Sequence, residues 1–359
     1  MFLTQQRAAA LLPRARLSGY DAPPCRAQGA VDSLICSRHE TAVLGWILHP
    51  KHLLRSVQVY CDRTLVGSAP IELRSDLACR FEHVSHAGHS GFHVRGAGCE
   101  LSGPLVTISV VGLSEKNDEV VFTSHRLTEP SEYPILPDQH LIRRVAGTNS
   151  SQGFTKIGLD ATIDLMRVFE DYLDLECGPK LLDWGCGPGR VASYVTMLWP
   201  QLALVGCDID HEAVNWCNLH VRSGAFHVNK PHPPLPFDDA SFDAVIACSV
   251  MTHLAWPMQR LWLGEIRRVL KHRGLFVASV HGEFAASFYS GVTNDLKRLG
   301  IVDTARDKSL DGVAPPGYYR ATFQTREFTC QNWGSYFGVL KYIEAGLTGF
   351  QDLVILRRE

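Results

Sequence analysis

The second half of this 359-residue chain alternates short apolar runs with segments of helical period, and that alternation constrains the fold more than any other feature. ATIDLMRVFEDYLDL (161–175) repeats apolar residues at helical spacing, LLDW (181–184) is a short buried strand, and RVASYVTMLW (190–199) is helical again. LALVGCD, FDAVIACS and LFVASVHG continue the strands, with EAVNWCNLHV and RLWLGEIRRVL as helices between them. Strands that are apolar on both faces and separated by helices predict a doubly wound parallel sheet covered on both sides. FGVLKYIEAGLTGFQDLVILRR at the C-terminus reads as two strands joined by a glycine-containing turn, adding an antiparallel edge.

The first half obeys a different rule. Short apolar runs at 43–48, 57–61, 65–69, 91–94, 105–111 and 120–124 are punctuated by turn residues every ten or so positions, the spacing of a small all-β sandwich or barrel. A length above the roughly 150 residues of a typical domain agrees with two folded parts. The expected organisation is a loose N-terminal segment (1–29), a β-sandwich (30–128), a linker and strap (129–160) containing SEYPILPDQ, and an α/β domain (161–359). The turn at Asp62-Arg63 lacks the glycine of a type I′ hairpin, so a longer or bulged turn is expected.

The strand LLDW runs directly into GCGPGR. Glycines between a buried strand and a helix let the backbone turn tightly and approach a ligand, whose anionic part can sit at the helix N-terminus. A Walker loop needs Gly-Lys-Ser or Gly-Lys-Thr, and here Gly189 is followed by Arg190 and Val191. A dinucleotide fingerprint wants a small residue where Arg190 stands. The pattern that fits is acidic-x-Gly-x-Gly-x-Gly: Asp183, Gly185, Gly187 and Gly189, with Cys186 inside the loop. A carboxylate at the strand end suits an amine, and the loop backbone suits a carboxylate. S-adenosylmethionine carries both. Asp208, nineteen positions after Gly189 at the next strand end, suits ribose hydroxyls.

With LLDWGCGPGR, VGCDID, LPFDDASFDAVIACSVMTHL and EIRRVLKHRGLFVASVHG in this order, the chain resembles the class I S-adenosylmethionine-dependent methyltransferases over roughly residues 140–359. The resemblance implies a Rossmann-like α/β fold with S-adenosyl-L-methionine as cofactor. By it, Asp183, Gly185, Cys186, Gly187 and Gly189 hold the methionine end, Asp208 the ribose, and Ile209 the adenine face. Asn229 stands where many members carry an acid that accepts from the adenine amine; an amide oxygen can accept the same bond, and a plain loop Asn fits equally. The chain is most similar to a bacterial subset associated with surface-glycan or secondary-metabolite synthesis. GAVDS, VLGWILHP and SGFHV resemble a small β-sandwich found beside glycan-modifying enzymes, which implies a docking or carbohydrate-contacting module; a rigid appendage with Trp46 in its core fits as well.

Methyl transfer to a hydroxyl is helped by a base of near-neutral pKa. His253 in SVMTHL and His281 in SVHGE follow the fourth and fifth strands, at the sheet edge where ligands bind in open α/β folds. Each also reads as a structural histidine capping a turn. Ser249 and Thr252 are helpers that orient a ligand or satisfy backbone groups, and Tyr318, Tyr319 and Arg320 form a lid or acceptor wall, or else a solvated loop. The thiols of Cys186 and Cys207 read as packing groups. His83, His86, His89 and His93 lack the helical spacing of a metal site, and no metal is expected.

Net charge is -2, without a basic stripe, which argues against a nucleic-acid partner. No run of about 20 apolar residues predicts a membrane span. The eleven cysteines include no CxxC pair and read as reduced thiols of a cytoplasmic protein. The leading expectation is methylation of oxygen on a sugar, glycan or related small molecule, with docking to glycan-synthesis machinery through the first domain. A nicotinamide-dependent oxidoreductase and a non-catalytic scaffold are the alternatives.

Overall fold

The computed structural model describes residues 25–37, 39–99, 105–128, 133–146, 150–306 and 308–359. Of the loose N-terminal segment expected at 1–29, residues 1–24 lie outside the described residues, whereas Cys25–Arg26 and the residues from Gln28 onward are strand, because they pair with later strands of the first unit. Two compact units divide the chain, the first holding residues up to Tyr133 and the second most of the remaining chain.

Among the described residues of the first unit, nine strands form two sheets: β1 (Cys25–Arg26), β2 (Gln28–Cys36), β3 (Glu40–Leu48), β4 (Leu54–Cys61), β5 (Thr64–Pro70), β6 (Glu72–Leu73), β7 (His89–Ala97), β8 (Leu105–Ser114) and β9 (Glu119–Leu127). One sheet has the order β1-β9-β8-β4-β5, the other β2-β3-β7-β6. Inward residues of both, among them Val31, Val43, Ile47, Val57, Val59, Phe92, Ile108 and Phe122, make a single apolar core, as the period-2 pattern demands. The β4–β5 connection is the two residues Asp62 and Arg63, with a register shift between Val59 and Tyr60. Asp62 takes φ 53° while Arg63 does not turn left-handed, so the turn is tight without being type I′. The Thr107 N–H donating to the Asp62 carboxylate at 2.9 Å holds that conformation without a glycine.

The second unit is built on a seven-stranded sheet: β10 (Lys180–Trp184), β11 (Ala203–Asp208), β12 (Gly224–Val228), β13 (Phe242–Ala247), β14 (Leu270–Val280), β17 (Gly338–Leu347) and β18 (Gln351–Arg357). Its order is β12-β11-β10-β13-β14-β18-β17. The first five strands are parallel, and β18 pairs antiparallel with both β14 and β17. This is the Rossmann-like α/β fold with the antiparallel edge. Strand order reverses at β10, and the crevice beyond the carboxyl ends of β10 and β13 is where such sheets take ligands. A two-stranded ribbon, β15 (Ile301–Arg306) with β16 (Arg320–Gln324), is inserted before the last strand pair. Among the described residues, no helix is long and apolar enough to cross a membrane.

The expected linker at 129–160 is largely helical: one helix spans Gln139–Ala146 and another Ser151–Glu170. Gly153, Thr155 and Gly158 weaken helical propensity there, which hid the start of the second helix. A local cap and a tertiary contact override that weakness. Ser150 caps the helix by accepting from the Gly153 N–H at 2.9 Å, and Gly158 lies against the loop after β10, where a Cβ would stand 2.6 Å from the Arg190 carbonyl oxygen.

Candidate functional site

At the strand-order reversal the chain leaves β10 and turns through Gly185, Gly187 and Gly189, all at positive φ (75°, 50° and 75°). Gly185 is required twice over, because a Cβ there would also lie 2.4 Å from Val250 Cγ2. The Gly187 N–H donates to Asp208 Oδ2 at 2.7 Å, which ties the loop to the end of β11. Asp208 Oδ1 accepts from the Asp210 N–H at 2.8 Å, and Asp210 caps the helix His211–His220.

These elements surround an open cavity. Of the residues singled out in the sequence, Asp183, Gly185, Cys186, Gly187, Asp208, Ile209, Asn229, Ser249 and His253 line it. Gly189 and His281 are not among the lining residues. A Cβ at Gly189 would meet Val221 and Cys217 at 3.0 and 3.1 Å, so this glycine serves close packing behind the loop.

Two lining acceptors are buried and have no protein partner: Asp183 Oδ2 and Asn229 Oδ1. The Asn229 amide is oriented by Nδ2 donating to the Lys230 carbonyl at 2.8 Å, which leaves Oδ1 as the unpaired atom. Burial, aided by the negative charge of Asp208, pushes the Asp183 carboxyl up to about 7, against a weaker opposing pull from Arg190. Burial likewise raises Asp208 to about 6. Such sites are stable when a ligand supplies the missing donors or positive charge. The arrangement therefore fits a ligand with an ammonium near Asp183 and an N–H donor near Asn229.

Opposite the loop, His253 sits in the 3-10 turn Met251–His253. Gln259 holds this turn from below, its Nε2 donating to the carbonyls of Met251 and Leu254 at 3.2 and 2.9 Å. Nδ1–H of His253 donates to the Arg320 carbonyl at 2.8 Å, and the ring stacks on Tyr319 with centroids 4.0 Å apart at 15°. In that tautomer Nε2 carries the lone pair. His281 stands edge-on to His253 at 6.1 Å and stacks on Phe323; burial, then the neighbouring His253, push it down to about 3, so it is neutral throughout the physiological range. Gln351 links the two strand ends, accepting from Ser249 Oγ at 3.1 Å and donating from Nε2 to His281 Nε2 at 3.5 Å. Thr252 is fully buried and outside the lining.

Tyr318 and Tyr319 line the cavity as a wall rather than a solvated loop, and the Trp262 indole N–H donates to the Tyr318 hydroxyl at 3.2 Å. Sequence reasoning missed Arg144, Val145, Trp262 and Leu310 in this lining. Arg144 pairs with Asp210 and Glu212, each at 2.7 Å, and Arg190 donates to the Val145 carbonyl at 3.3 Å. The amphipathic HLIRRVA was the available signal for that helix, but its prolines upstream suggested a linker instead.

A glycine-looped crevice at the reversal of a 3-2-1-4-5-7-6 sheet, with a buried and a half-buried acid on two adjacent strand ends, defines a ligand-binding Rossmann-like domain. Residues 182–278 match the protein family described as "Methyltransferase domain". The cofactor that this family and fold imply is S-adenosylmethionine. Over 165 residues the chain is 28% identical to a fatty-acid O-methyltransferase of Mycolicibacterium smegmatis, covering 45% of this chain and 53% of the relative. Over 163 residues it is 34% identical to a phthiotriol/phenolphthiotriol dimycocerosates methyltransferase of Mycobacterium tuberculosis, with the same coverage of 45% and 53%. The chain thus spans about half the length of the curated relatives it matches. Among solved structures it is similar to an S-adenosylmethionine-dependent methyltransferase of Methanosarcina mazei, at 21% identity and TM-score 0.41, covering 53% of this chain and 96% of that one.

Proposed function

We propose that the chain is an S-adenosylmethionine-dependent methyltransferase that methylates a hydroxyl oxygen of a small-molecule acceptor. One observation carries the reading: the two buried, unpaired acceptors Asp183 Oδ2 and Asn229 Oδ1 flank a glycine loop in one cavity. Asp183 would take the methionine ammonium, Asp208 the ribose hydroxyls and Asn229 the adenine amine, while Ile209 and Cys186 pack beside them; the N–H groups of Gly185, Cys186, Gly187 and Gly189 are committed within the protein, which leaves the lining Arg190 as the cation for the ligand carboxylate. S-adenosylmethionine supplies an electrophilic methyl on a sulfonium. The chain supplies position and a proton acceptor. His253 receives the hydroxyl proton at Nε2, because Nδ1–H is committed to the Arg320 carbonyl. His281 does not face the cavity and acts as a neutral neighbour that keeps the His253 ring in place.

The cavity lining includes Trp262, Leu254, Leu310, Tyr318 and Tyr319, with Tyr319 stacked on His253. That surface favours an acceptor with an apolar or flat body next to its hydroxyl. The lipid chemistry in the names of two relatives supports the same choice. A sugar or glycan hydroxyl is the second reading; it is favoured by the resemblance of the β-sandwich to modules of glycan-modifying enzymes, which would dock the enzyme to glycan-synthesis machinery. Calorimetry with S-adenosylhomocysteine and with NADH tests the donor assignment: heat with the former alone is expected, and heat with NADH alone overturns it. Methyl transfer assayed against fatty acids, phenols and glycosides then decides between the acceptor classes.

A further inference from the structure

The first unit contains a feature that the methyltransferase reading does not use. Cys36 at the end of β2, Cys61 at the end of β4 and Cys99 just beyond β7 bring their sulfurs within 4.8 Å of one another. The Cys36 and Cys99 sulfurs are 2.9 Å apart. Thr41, fully buried between them on β3, donates from Oγ1 to Cys99 Sγ at 3.3 Å and accepts from the Cys99 N–H at 3.2 Å. Three residues separated by tens of positions in sequence therefore meet at one end of the sandwich, where both sheets contribute.

We propose that Cys36 and Cys99 are a redox modification site, which a low-molecular-weight disulfide of the glutathione type converts to a reversible intrachain disulfide. Their separation is closer than the roughly 3.7 Å that two sulfurs keep when both bind one metal ion at about 2.3 Å. The charge balance points the same way. Asp62 opposes negative charge on Cys61 and Cys99, so three thiolates around a metal would gather uncompensated charge in an apolar core, whereas a disulfide is neutral. Cys36 is the partly exposed member and Cys61 and Cys99 are buried, which assigns the order of events. The Cys36 thiolate attacks the external disulfide R–S–S–R, forming Cys36–S–S–R and releasing RS⁻. Cys99 then attacks Cys36 Sγ and expels the second RS⁻. Two protein thiols lose two electrons and two protons, and one R–S–S–R becomes two R–SH. Burial, then the neighbouring Cys99, raise the Cys36 thiol; burial also raises Cys99, but hydrogen bonds from Cys36 and Thr41 outweigh this and lower it overall. Exposure rather than acidity therefore makes Cys36 the first nucleophile, and the lowered Cys99 suits the resolving step. Burial pushes Cys61 well above the usual thiol range, so it stays protonated.

The test treats the full chain with oxidised glutathione, alkylates the remaining thiols and maps the peptides by mass spectrometry. A Cys36–Cys99 cross-link, reversed by dithiothreitol and accompanied by a rise in Tm, is expected. Cys36→Ser and Cys99→Ser each abolish the cross-link and the Tm shift, whereas Cys61→Ser keeps both. Alkylation of all three cysteines after oxidation overturns the proposal. So does stoichiometric zinc or copper in the untreated protein whose retention requires Cys61 as well as the other two.

Discussion

His253 lies flat on Tyr319, the ring centroids 4.0 Å apart, and its Nδ1–H is fixed by the carbonyl of the very next residue, Arg320. One loop thus sets both the plane and the tautomer of the candidate base. His253→Ala should lower kcat about 10²-fold or more and leave S-adenosylhomocysteine affinity unchanged. Tyr319→Ala should give a smaller loss, because the ring is left bonded but free to tilt. Single-turnover rates beside calorimetric Kd values check both; an equal loss of donor affinity in His253→Ala would show that the histidine is structural.

Asp183 carries the donor assignment. A charge-assisted hydrogen bond is worth about 1.5–3 kcal/mol, so Asp183→Asn should weaken S-adenosylhomocysteine binding by roughly ten- to a hundredfold. The same change removes a buried, unfavourable charge, so the ligand-free variant should melt no lower than the parent at pH 8. Calorimetry and thermal melting of one sample separate these two effects.

The pH dependence has a definite sign. Asp183 is raised from 3.8 to about 7, so the folded protein holds a proton that the unfolded chain has released. The stability cost is absent below about pH 4, grows as pH rises through 7 and is complete above it. Asp183→Asn lacks this cost. Its Tm advantage over the parent should therefore appear between pH 5 and 8 and vanish near pH 4. Donor affinity of the parent should rise over the same interval, since the ammonium binds the ionised carboxylate.

Gly185 combines φ 75° with a site where a Cβ would lie 2.4 Å from Val250 Cγ2. Gly185→Ala should destabilise the protein by about 1–3 kcal/mol and weaken donor binding. Adding Val250→Ala removes the clash while leaving the backbone strain, so partial recovery in Tm is expected. Full recovery would mean that the left-handed conformation matters little here.

Arg144 bridges to Asp210, whose carboxylate also caps the helix after β11. Arg144→Ala should increase amide exchange in residues 139–146 and cost donor affinity several-fold, with a small effect on Tm because the arginine is partly exposed. Unchanged exchange there would detach this helix from the site.

Much of the fold was legible because burial writes a period into the chain. The apolar runs at LLDW, LALVGCD and FDAVIACS, alternating with helices, specify parallel strands wherever they end up, and GCGPGR between strand and helix demands left-handed backbone that only glycine adopts freely. Asp183 and Asp208 could be named in advance because each ends a strand whose neighbours the alternation had already ordered. The rest depended on residues far apart in sequence. The setting of His253 at the cavity depends on Tyr319 and Arg320, at the entry to the second ribbon strand and more than thirty positions beyond either histidine. Arg144 and Val145 entered the lining through a helix that the upstream prolines had disguised as a linker and whose Arg144 is ion-paired with Asp210. No spacing rule joins Cys36, Cys61 and Cys99; only the closing of two sheets brings them together. Local sequence sets backbone geometry and burial period, while the direction and company of a side chain come from contacts that exist only once the chain has folded.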